Sequence, residues 1–493
     1  MNWAKTKNGK SIALKDIPLL SMPQLRDAIA EQCENGSRIV LFFGTDQGKV
    51  YAVLAQDVNS RVLVSSAEFP KDKTYLSLTK EFPALHVFER ELYEEYGLVP
   101  EGHPWLKGIR YPFYRHHPEK TMETFPFFKM DGQEVHEVAV GPIHAGVIEP
   151  GHFRFMCHGE KVYHLEIQLG YQHRGAERLF CGKRFQETLA ESIAGDSVTA
   201  HTSAYAMVME SLGNIQITRR AQAIRAIALE MERAGIHIGD LGALANDVAY
   251  LLGNAVYGAT RTLVINSLLL ICGSRFGRGL IRTGGVVFDI EEDKIREIRA
   301  TLEKVKHDVI LMSETMFSTP SVLSRFEQTG IVETEKAAQI GLVGPVARAS
   351  GLSVDVRSDH PYGMYRYSPI HKSIRYTGDV FDRAYIRYME IQKSLNYVID
   401  QISHLPGDGI KRGSVSDIKL APDSFAVSMV EGWRGETVHA AITDSSGNPV
   451  RYKIKDPSFH NWFGLAQAVR GNGISDFPLC NKSFNLSYCG NDL

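Results

Sequence analysis

The sequence predicts an α+β protein, with a small N-terminal α+β domain before a larger, mainly helical domain that carries peripheral strands. Two observations lead to this prediction. Residues 36–100 contain short apolar runs separated by Gly, Asp and Asn, which is typical of strands, and residues 83–97 follow a helical pattern. Further along, apolar residues recur at three- and four-residue steps, which predicts long helices over residues 183–212, 216–256, 291–316 and 376–404.

The remaining segments complete this outline. Strands return over residues 136–168, and the final mixed segment, 425–493, contains strands joined by an SSGNP turn. Residues from about 101 to 135 are rich in Pro, His and aromatic side chains and follow neither period, so they predict an extended connector. We therefore expect a small domain over residues 1–120, a linker over 121–135 and the larger domain over 136–493.

Composition argues against several classes of protein. The 55 basic and 57 acidic side chains give a net charge of −2, so no long-range field attracts nucleic acid. Six scattered cysteines indicate a reducing compartment, the cytoplasm. The N-terminus lacks the apolar region of a secretory signal, and the most apolar stretch, Leu263 to Cys272, falls short of the roughly 18 residues of a membrane span. We expect that stretch to be a core helix, so that any action at a membrane would require docking to another subunit.

Three motifs follow one another along the chain. ERELYEEYGL at Glu89 to Leu98, followed by Gly102-His103-Pro104, resembles the signature of the small hydrophilic subunit of respiratory complex I. GPIH at Gly141 to His144 and GYQHRGAE at Gly170 to Glu177 resemble the start of the quinone-site subunit, whose fold is shared with the large subunit of nickel–iron hydrogenases. The fusion of both modules resembles the large subunit of formate hydrogenlyase and related energy-converting hydrogenases, over nearly the whole chain.

The same resemblance locates four positions at which hydrogenases hold their nickel–iron centre with cysteines. One pair lies in the tail Asn481 to Leu493 and the other in the segment Glu191 to His201. Thiolates suit nickel and low-spin iron, whereas alcohols and side chains without a donor do not replace them. The four positions are occupied by Ala194, Ser197, Ser487 and Gly490. The sequence therefore resembles the nickel-free, hydrogenase-related complexes.

The HRG turn and the segment after GPIH contain candidate site residues. By resemblance, Arg174, with His173 beside it, would lie against the last iron–sulfur cluster of a partner, where a fixed positive charge raises the cluster's potential. Alternatively, Arg174 caps a helix or pairs with Glu177. Glu149 resembles the glutamate that relays protons in hydrogenases, which requires a carboxylate in a partly apolar cavity; alternatively, it is an exposed turn residue. His144 and His152 flank it, either as site residues or as structural histidines.

A second group of candidates surrounds the replaced cysteines. Arg434 resembles the arginine that lies over the metal centre in hydrogenases, although Gly-Trp replaces Ala-Pro before it. Without a metal it would bind an anion or a quinone carbonyl, or pair with Asp196, which is otherwise solvated. His201 follows the first replaced pair, and core packing explains it as well as function does. The tyrosine that binds quinone in complex I has Gly195 as its approximate counterpart, which leaves quinone binding open.

Other chemistries have weaker support in the sequence. A substitute metal would need Cys480 and Cys489 with His201 or Asp196, but nine-residue spacing is not a ligand pattern. Nucleotide binding would rest on glycines between Gly273 and Gly285, which lack the fingerprint spacing after a strand.

We therefore expect a subunit of a membrane-associated, complex I-like oxidoreductase, peripheral on the cytoplasmic face of the cell membrane. Electrons would come from a 4Fe–4S cluster in an iron–sulfur partner, because this chain has no set of four cysteines to hold one. No cofactor is assigned to the chain itself beyond a possible quinone. The resemblance implies antiporter-like and quinone-channel-type membrane subunits as further partners and redox-coupled ion movement as the outcome. The alternatives are a non-catalytic docking subunit and, less well supported, a true hydrogenase.

Overall fold

The computed structural model describes residues 2–146, 148–182, 185–410 and 418–493. It confirms the predicted α+β class, because largely antiparallel sheets accompany long helices.

The N-terminal part is a sheet with helices packed against it. The predicted apolar runs form the antiparallel strands Arg38–Gly44, Lys49–Gln56 and Arg61–Glu68, and the short strands Ala4–Thr6 and Leu19–Leu20 pair with the last of them. The helix Met22–Glu34 begins at a capping box, in which Ser21 and Gln24 each accept a hydrogen bond from the other's backbone N–H. The helical pattern predicted over residues 83–97 is confirmed as the helix His86–Tyr96.

A second antiparallel sheet follows the connector. It consists of the strands Val135–Val140, His152–His158 and Lys161–Gln168, so strands are confirmed in the predicted range. The first two strands are joined by a hairpin loop that carries the GPIH motif and residue Glu149.

Long helices make up most of the larger part. Glu292–Met316 and Val380–Ser403 confirm two of the predicted helices. The helix predicted over 183–212 is wrong in its start, because its main helix is Val198–Leu212 and the residues before it turn at Ala194. The helix predicted over 216–256 is interrupted: Arg219–Asp247 ends just before Ala249, whose left-handed φ of 57° cannot continue a helix.

The next helix, Leu251–Cys272, has 22 residues and is long and apolar enough to cross a membrane by length and composition alone. The prediction that its apolar part is short was wrong, because the residues before Leu263 continue the same helix. Only 44% of its most apolar 18-residue segment is buried, and Leu251 is 67% exposed. The expected core helix therefore has one solvent-exposed apolar side. Core helices that are partly buried share this length and composition, so the helix by itself does not establish a membrane span.

The C-terminal sheet includes an N-terminal strand. Ser424–Gly432, Gly435–Thr443 and Pro449–Lys455 form antiparallel pairs, and Lys10–Ala13 pairs with the first of them. The two predicted modules therefore share backbone hydrogen bonds, and the domain limits stay a prediction. The chain ends in short helices: Ser458–Ala468, Phe477–Phe484 and Tyr488–Asp492.

A buried ion cluster joins the first and third sequence motifs. Glu91 and Glu95 come from ERELYEEYGL and Glu177 comes from GYQHRGAE. Arg451 Nη1 donates to Glu177 at 2.9 Å, and its Nη2 donates to Glu95 at 3.3 Å. Lys453 Nζ donates to Glu91 at 2.5 Å and lies 2.9 Å from Glu177. Buried carboxylates are costly without cations at this distance, so the cluster fixes the helix His86–Tyr96 against the C-terminal sheet.

We expect Arg451→Met to lower the free energy of unfolding by about 3–5 kcal/mol, because it leaves the buried Glu95 without its cation and Glu177 with Lys453 alone. Urea unfolding followed by circular dichroism would measure the change. The control is Arg299→Met, which removes a half-exposed pair with Glu303 and should cost less than about 1 kcal/mol. Equal effects of the two variants would show that the buried cluster does not hold the structure together.

Candidate functional site

The four positions that would hold a metal in hydrogenases lie on two neighbouring segments. Ala194 and Ser197 immediately precede the helix Val198–Leu212, and Ser487 and Gly490 begin the last helix of the chain. All four residues are buried. Ser487 is the N-cap of its helix, where its Oγ accepts a hydrogen bond from Gly490 N at 2.9 Å. The Ser487 hydroxyl, at a position where hydrogenases have a thiol, therefore stabilises the start of the last helix.

Asp456 occupies the space beside Gly490. A Cβ atom built on Gly490 would lie 2.7 Å from both Cγ and Oδ2 of Asp456, closer than non-bonded atoms approach. A cysteine side chain at this position would meet that carboxylate. Ala and Gly supply no ligand atom, and Ser supplies only a hydroxyl, so these residues do not fit a nickel ion.

His201 lies at the centre of a buried hydrogen-bonded chain. Its Nε2 is 3.1 Å from Oδ2 of Asp456, and its Nδ1 is 3.0 Å from Nε2 of His439. Nδ1 of His439 is in turn 2.8 Å from the hydroxyl of Tyr452. None of these four side chains is more than 1% exposed. The sequence drew attention only to His201, because the others belong to no motif.

Arg434 and Asp196 form a bidentate ion pair next to these residues. Nη1 and Nη2 of Arg434 donate to the two carboxylate oxygens of Asp196 at 2.6 and 2.7 Å. Nε of Arg434 donates to the carbonyl of Asn485 at 2.6 Å, and the guanidinium stacks 3.9 Å from the Trp433 ring. The Arg434 side chain is 5% exposed, whereas that of Asp196 is 39% exposed. Of the alternatives open in the sequence, the structure shows the pairing of Arg434 with Asp196.

Arg174 links the two segments that carry the replaced cysteines. Its guanidinium donates to the carbonyls of Ser192 and Ile193 at 2.7 and 2.8 Å, and to that of Cys489 at 3.2 Å. The side chain is exposed, so its charge lies at the surface beside the site. Nδ1 of His173 lies 2.6 Å from the carbonyl of Asp492, and burial lowers the pKa of His173.

The hairpin that carries Glu149 lies against the tail. Nε2 of His144 donates to the carbonyl of Gly151 at 2.8 Å, and Nδ1 of His152 donates to that of Gly141 at 3.1 Å, so both histidines brace the loop. Glu149 itself is exposed rather than enclosed in a cavity. It nevertheless reaches Cys489: burial, together with the Glu149 carboxylate, raises the pKa of that thiol to about 11. Cys489 is therefore a neutral thiol.

Glu232 is a site residue that sequence reasoning missed. Its Oε2 accepts a hydrogen bond from Thr199 N at 2.7 Å, at the start of the helix that follows Ser197. Oε1 is buried and has no hydrogen-bond partner among the described residues. Burial, with a smaller contribution from the charge of Asp196, raises the pKa of Glu232 to about 8. A single glutamate inside a long helix has no pattern that would identify it from sequence.

The two weaker chemistries gain no support. Within the described ranges, the one group of three acidic, His or Cys side chains close enough to share an ion is Glu91, Glu95 and Glu177, which already pairs with cations. Cys480 instead packs against Gly330. The glycine-rich segment follows the helix Leu251–Cys272, not a strand, and Gly273 ends that helix with a φ of 73°.

A separate cavity of about 240 Å³ lies between the strand Lys10–Ala13 and the helices Val198–Leu212 and Arg219–Asp247. Glu210 and Arg225, which line it, pair with each other at 2.6 Å. None of the eight candidate residues of the sequence lines this cavity.

Comparison with known proteins places the chain in a family. Residues 14–129 match the model of the 30 Kd subunit of respiratory-chain NADH dehydrogenase, and residues 253–419 and 414–492 match that of the 49 Kd subunit. Formate hydrogenlyase subunit 5 of Escherichia coli (strain K12) is 30% identical over 489 residues, which cover 93% of this chain and 85% of that protein. The chain belongs to the family of formate hydrogenlyase subunit 5. The predicted fusion of two complex I modules is thereby confirmed.

Other relatives of the chain have names that refer to different activities. A subunit of NADH-quinone oxidoreductase from Dehalococcoides mccartyi is 28% identical over 350 residues, covering 70% of this chain and 95% of that protein. A chain in the structure of the membrane-bound sulfane sulfur reductase, an archaeal respiratory membrane complex, is 25% identical with a TM-score of 0.68, covering 74% of this chain and all of that one. Proteins that share this fold therefore have names that refer to three different chemistries, those of hydrogen, quinone and sulfur, so the fold alone does not identify the reaction.

We expect Glu232 to contribute a loss of stability as the pH rises from about 4.5 to 8. Its carboxyl group keeps its proton up to about pH 8 when folded, but loses it near 4.5 when unfolded. The folded state thus binds more protons across this window, which costs at most about 1.4 kcal/mol per pH unit as the pH rises. Glu232→Gln should flatten this part of the profile, measured by urea unfolding at several pH values. The exposed control Glu303→Gln should leave it unchanged, and parallel profiles for all three proteins would contradict the assignment.

Proposed function

We propose that this chain is a subunit of a membrane-bound complex related to complex I and energy-converting hydrogenases, and that it passes electrons from an iron–sulfur partner to a small acceptor with a polar carbonyl, of the quinone class. In this proposal it works without a nickel–iron centre. One observation carries it: the four ligand positions lack thiolates, while the ion pair of Arg434 and Asp196 lies beside them. The comparisons support the assembly, because one relative is a numbered subunit of formate hydrogenlyase and another belongs to a membrane-bound respiratory complex.

Electrons would enter next to Arg174. Its guanidinium is exposed and its observed hydrogen bonds go to neutral carbonyl groups, and no carboxylate among the described residues forms an ion pair with it. A cluster in a partner protein that docks here would be easier to reduce beside that charge. His173 supports the same turn from the inside through its hydrogen bond to Asp492.

The acceptor would bind at Arg434. Because the Asp196 side chain is 39% exposed, a ligand carbonyl or anion can compete with it for the guanidinium, whose orientation is fixed by Asn485 and Trp433. Binding would free Asp196, whose charge then contributes to proton uptake. Glu149, exposed and beside Cys489, would bring protons to the site from the solvent side.

The wider assembly completes the proposal. An iron–sulfur small subunit would supply the 4Fe–4S cluster, and antiporter-like and quinone-channel-type membrane subunits would convert the charge change into ion movement. The chain would then be a peripheral subunit on the cytoplasmic face of the cell membrane. The open apolar side of the helix Leu251–Cys272 is compatible with burial against such neighbours.

We expect Arg434→Lys to raise the KM of the purified complex for a short-chain quinone by about tenfold or more. A lysine keeps the charge but loses the paired N–H groups, and a charge-assisted hydrogen bond contributes about 1.5–3 kcal/mol. Reoxidation of the dithionite-reduced complex by the quinone gives KM and kcat. Arg299→Lys on an exposed helix is the matched control. An unchanged KM, or no reoxidation by any quinone in the unmodified complex, would contradict the assigned acceptor.

We expect Arg174→Gln to lower the midpoint potential of the neighbouring cluster and to slow its oxidation by quinone, because a surface cation is lost. A redox titration followed by electron paramagnetic resonance would measure the shift. Arg178→Gln, an exposed arginine four residues away, is the control.

A second candidate function is a docking role without chemistry of its own. The close packing of Asp456 against Gly490 favours it, because it leaves little room at the former metal position. Undiminished coupled activity of the assembled Arg174→Ala and Glu149→Ala complexes would establish this function in place of the first. Elemental analysis distinguishes both from a hydrogenase, since stoichiometric nickel in the complex would overturn the metal-free proposal.

A further inference from the structure

The chain of Asp456, His201, His439 and Tyr452 has one consistent direction. A carboxylate only accepts hydrogen bonds, so Nε2 of His201 carries the hydrogen that points to Oδ2 of Asp456 at 3.1 Å. In a neutral imidazole Nδ1 of His201 must then accept, and it does so from Nε2 of His439 at 3.0 Å. Nδ1 of His439 accepts from the Tyr452 hydroxyl at 2.8 Å. Each group thus donates toward the site.

The end of this chain lies where a metal ligand would begin. Oδ2 of Asp456 is 2.7 Å from the place that a Cβ atom on Gly490 would take. Oδ1 accepts from Ser458 N at 2.8 Å, which leaves Oδ2 as the oxygen that faces both His201 and the tail. A negatively charged oxygen therefore stands close to where a cysteine at residue 490 would have placed its thiolate.

We propose that Asp456 and His201 hold and deliver a proton at this site, and that His439 and Tyr452 act as positioning residues that keep Nε2 of His201 directed at Asp456. This rests on the proposed function, which needs a proton for each electron that an acceptor takes up. The class of substrate is the same: a reduced, anionic acceptor that lies between Arg434 and the tail.

The delivery step balances without any further reactant. Before the acceptor is reduced, His201 carries one additional proton and is positively charged. Its Nδ1 then donates to Nε2 of His439, and Nδ1 of His439 donates to the Tyr452 oxygen. Both hydrogen bonds thus run opposite to their direction in the neutral state. The proton passes from Nε2 of His201 to Oδ2 of Asp456, and then from the carboxyl group to the acceptor oxygen. The electron pair of the broken O–H bond stays on Asp456, and a new O–H bond forms on the acceptor. His201 is left neutral with its hydrogen on Nδ1, and uptake of the next proton at Nε2 restores the charged pair.

The surroundings keep Asp456 ionised and the two inner groups of the chain, His439 and Tyr452, neutral. Burial alone would raise the pKa of Asp456, but the hydrogen bond from His201 and the charges of His201 and Arg434 hold it below its usual range. Burial and the neighbouring His201 lower the pKa of His439 well below its ordinary value, so that imidazole stays neutral. Glu177 acts on His439, while Tyr205 and Cys181 lie near Tyr452, which remains a neutral phenol.

The test uses the intact purified complex with Asp456→Asn. This substitution keeps the size of the side chain, but an amide cannot take a proton from His201 and pass it on. We expect kcat for quinone reduction to fall about 100-fold, as on loss of a general acid, and its pH profile to lose one inflection. Infrared difference spectra of the complex on reduction should lose, in this variant, the imidazole ring band that marks the loss of a proton from His201. His460→Gln removes an equally buried imidazole elsewhere, bound to the carbonyl of Ala84, and should keep the band.

Tyr452→Phe provides a second route if Asp456→Asn does not assemble. Removing this one hydroxyl leaves the acceptor site untouched and should shift the pH profile while leaving KM unchanged. An unaltered pH profile and infrared band in both variants, with normal quinone reduction, would overturn this inference alone. Absence of any quinone reduction in the unmodified complex would overturn the proposed function, whereas the infrared band would still decide whether His201 changes its protonation when the complex is reduced.

Discussion

The structure depends on one constraint, that each buried charged group contacts an opposite charge or a hydrogen-bond partner. Carboxylates without partners are costly in an interior of low dielectric constant, and this chain buries many of them. The cluster of Glu91, Glu95 and Glu177 with Arg451 and Lys453 shows how this requirement fixes architecture. It ties a helix of the N-terminal part to the C-terminal sheet, so the two sequence motifs that supply the acids become one contact.

The same requirement shapes the candidate site. Around the four positions without thiols, the buried polar groups meet one another instead of a metal ligand set. Here Asp196 neutralises Arg434, and Asp456 accepts a hydrogen bond from His201. The result is a set of ion pairs and imidazoles, which are the groups that the proposed proton transfer would use. In that proposal electron transfer and proton transfer would involve different groups, with Arg174 at the surface and Asp456 in the interior.

Much of the fold could be predicted, because periodicity reports which side of an element is buried. The strands near residues 38–68 and the helices Glu292–Met316 and Val380–Ser403 have that pattern. The break at Ala249 could not, because an alanine with a left-handed backbone has no sequence signal. Nor could the pairing of Lys10–Ala13 with a strand more than 400 residues away, since register across such a distance depends on tertiary packing.

The site was predictable only where motifs exist. Arg174, Arg434 and His201 were found through short runs of residues, and the pairing of Arg434 with Asp196 was one of several alternatives. Asp456 and Glu232 were not found, because each is an isolated acid whose role depends on what packs against it. For Glu149 the sequence left a cavity and an exposed turn open, and the structure shows the exposed turn, since a hairpin tip between Gly and Pro residues favours the surface.

The contact between Gly490 and Asp456 has a consequence for substitution in the tail. A cysteine at position 490 would place its Cβ 2.7 Å from the carboxylate of Asp456, so that carboxylate would have to move. Oδ2 of Asp456 also accepts the hydrogen bond from His201, so the movement would disturb the buried chain behind it. A cysteine at position 487 would remove the hydroxyl that caps the last helix. Thiols at these two positions would therefore each cost the protein a contact that its present residues make.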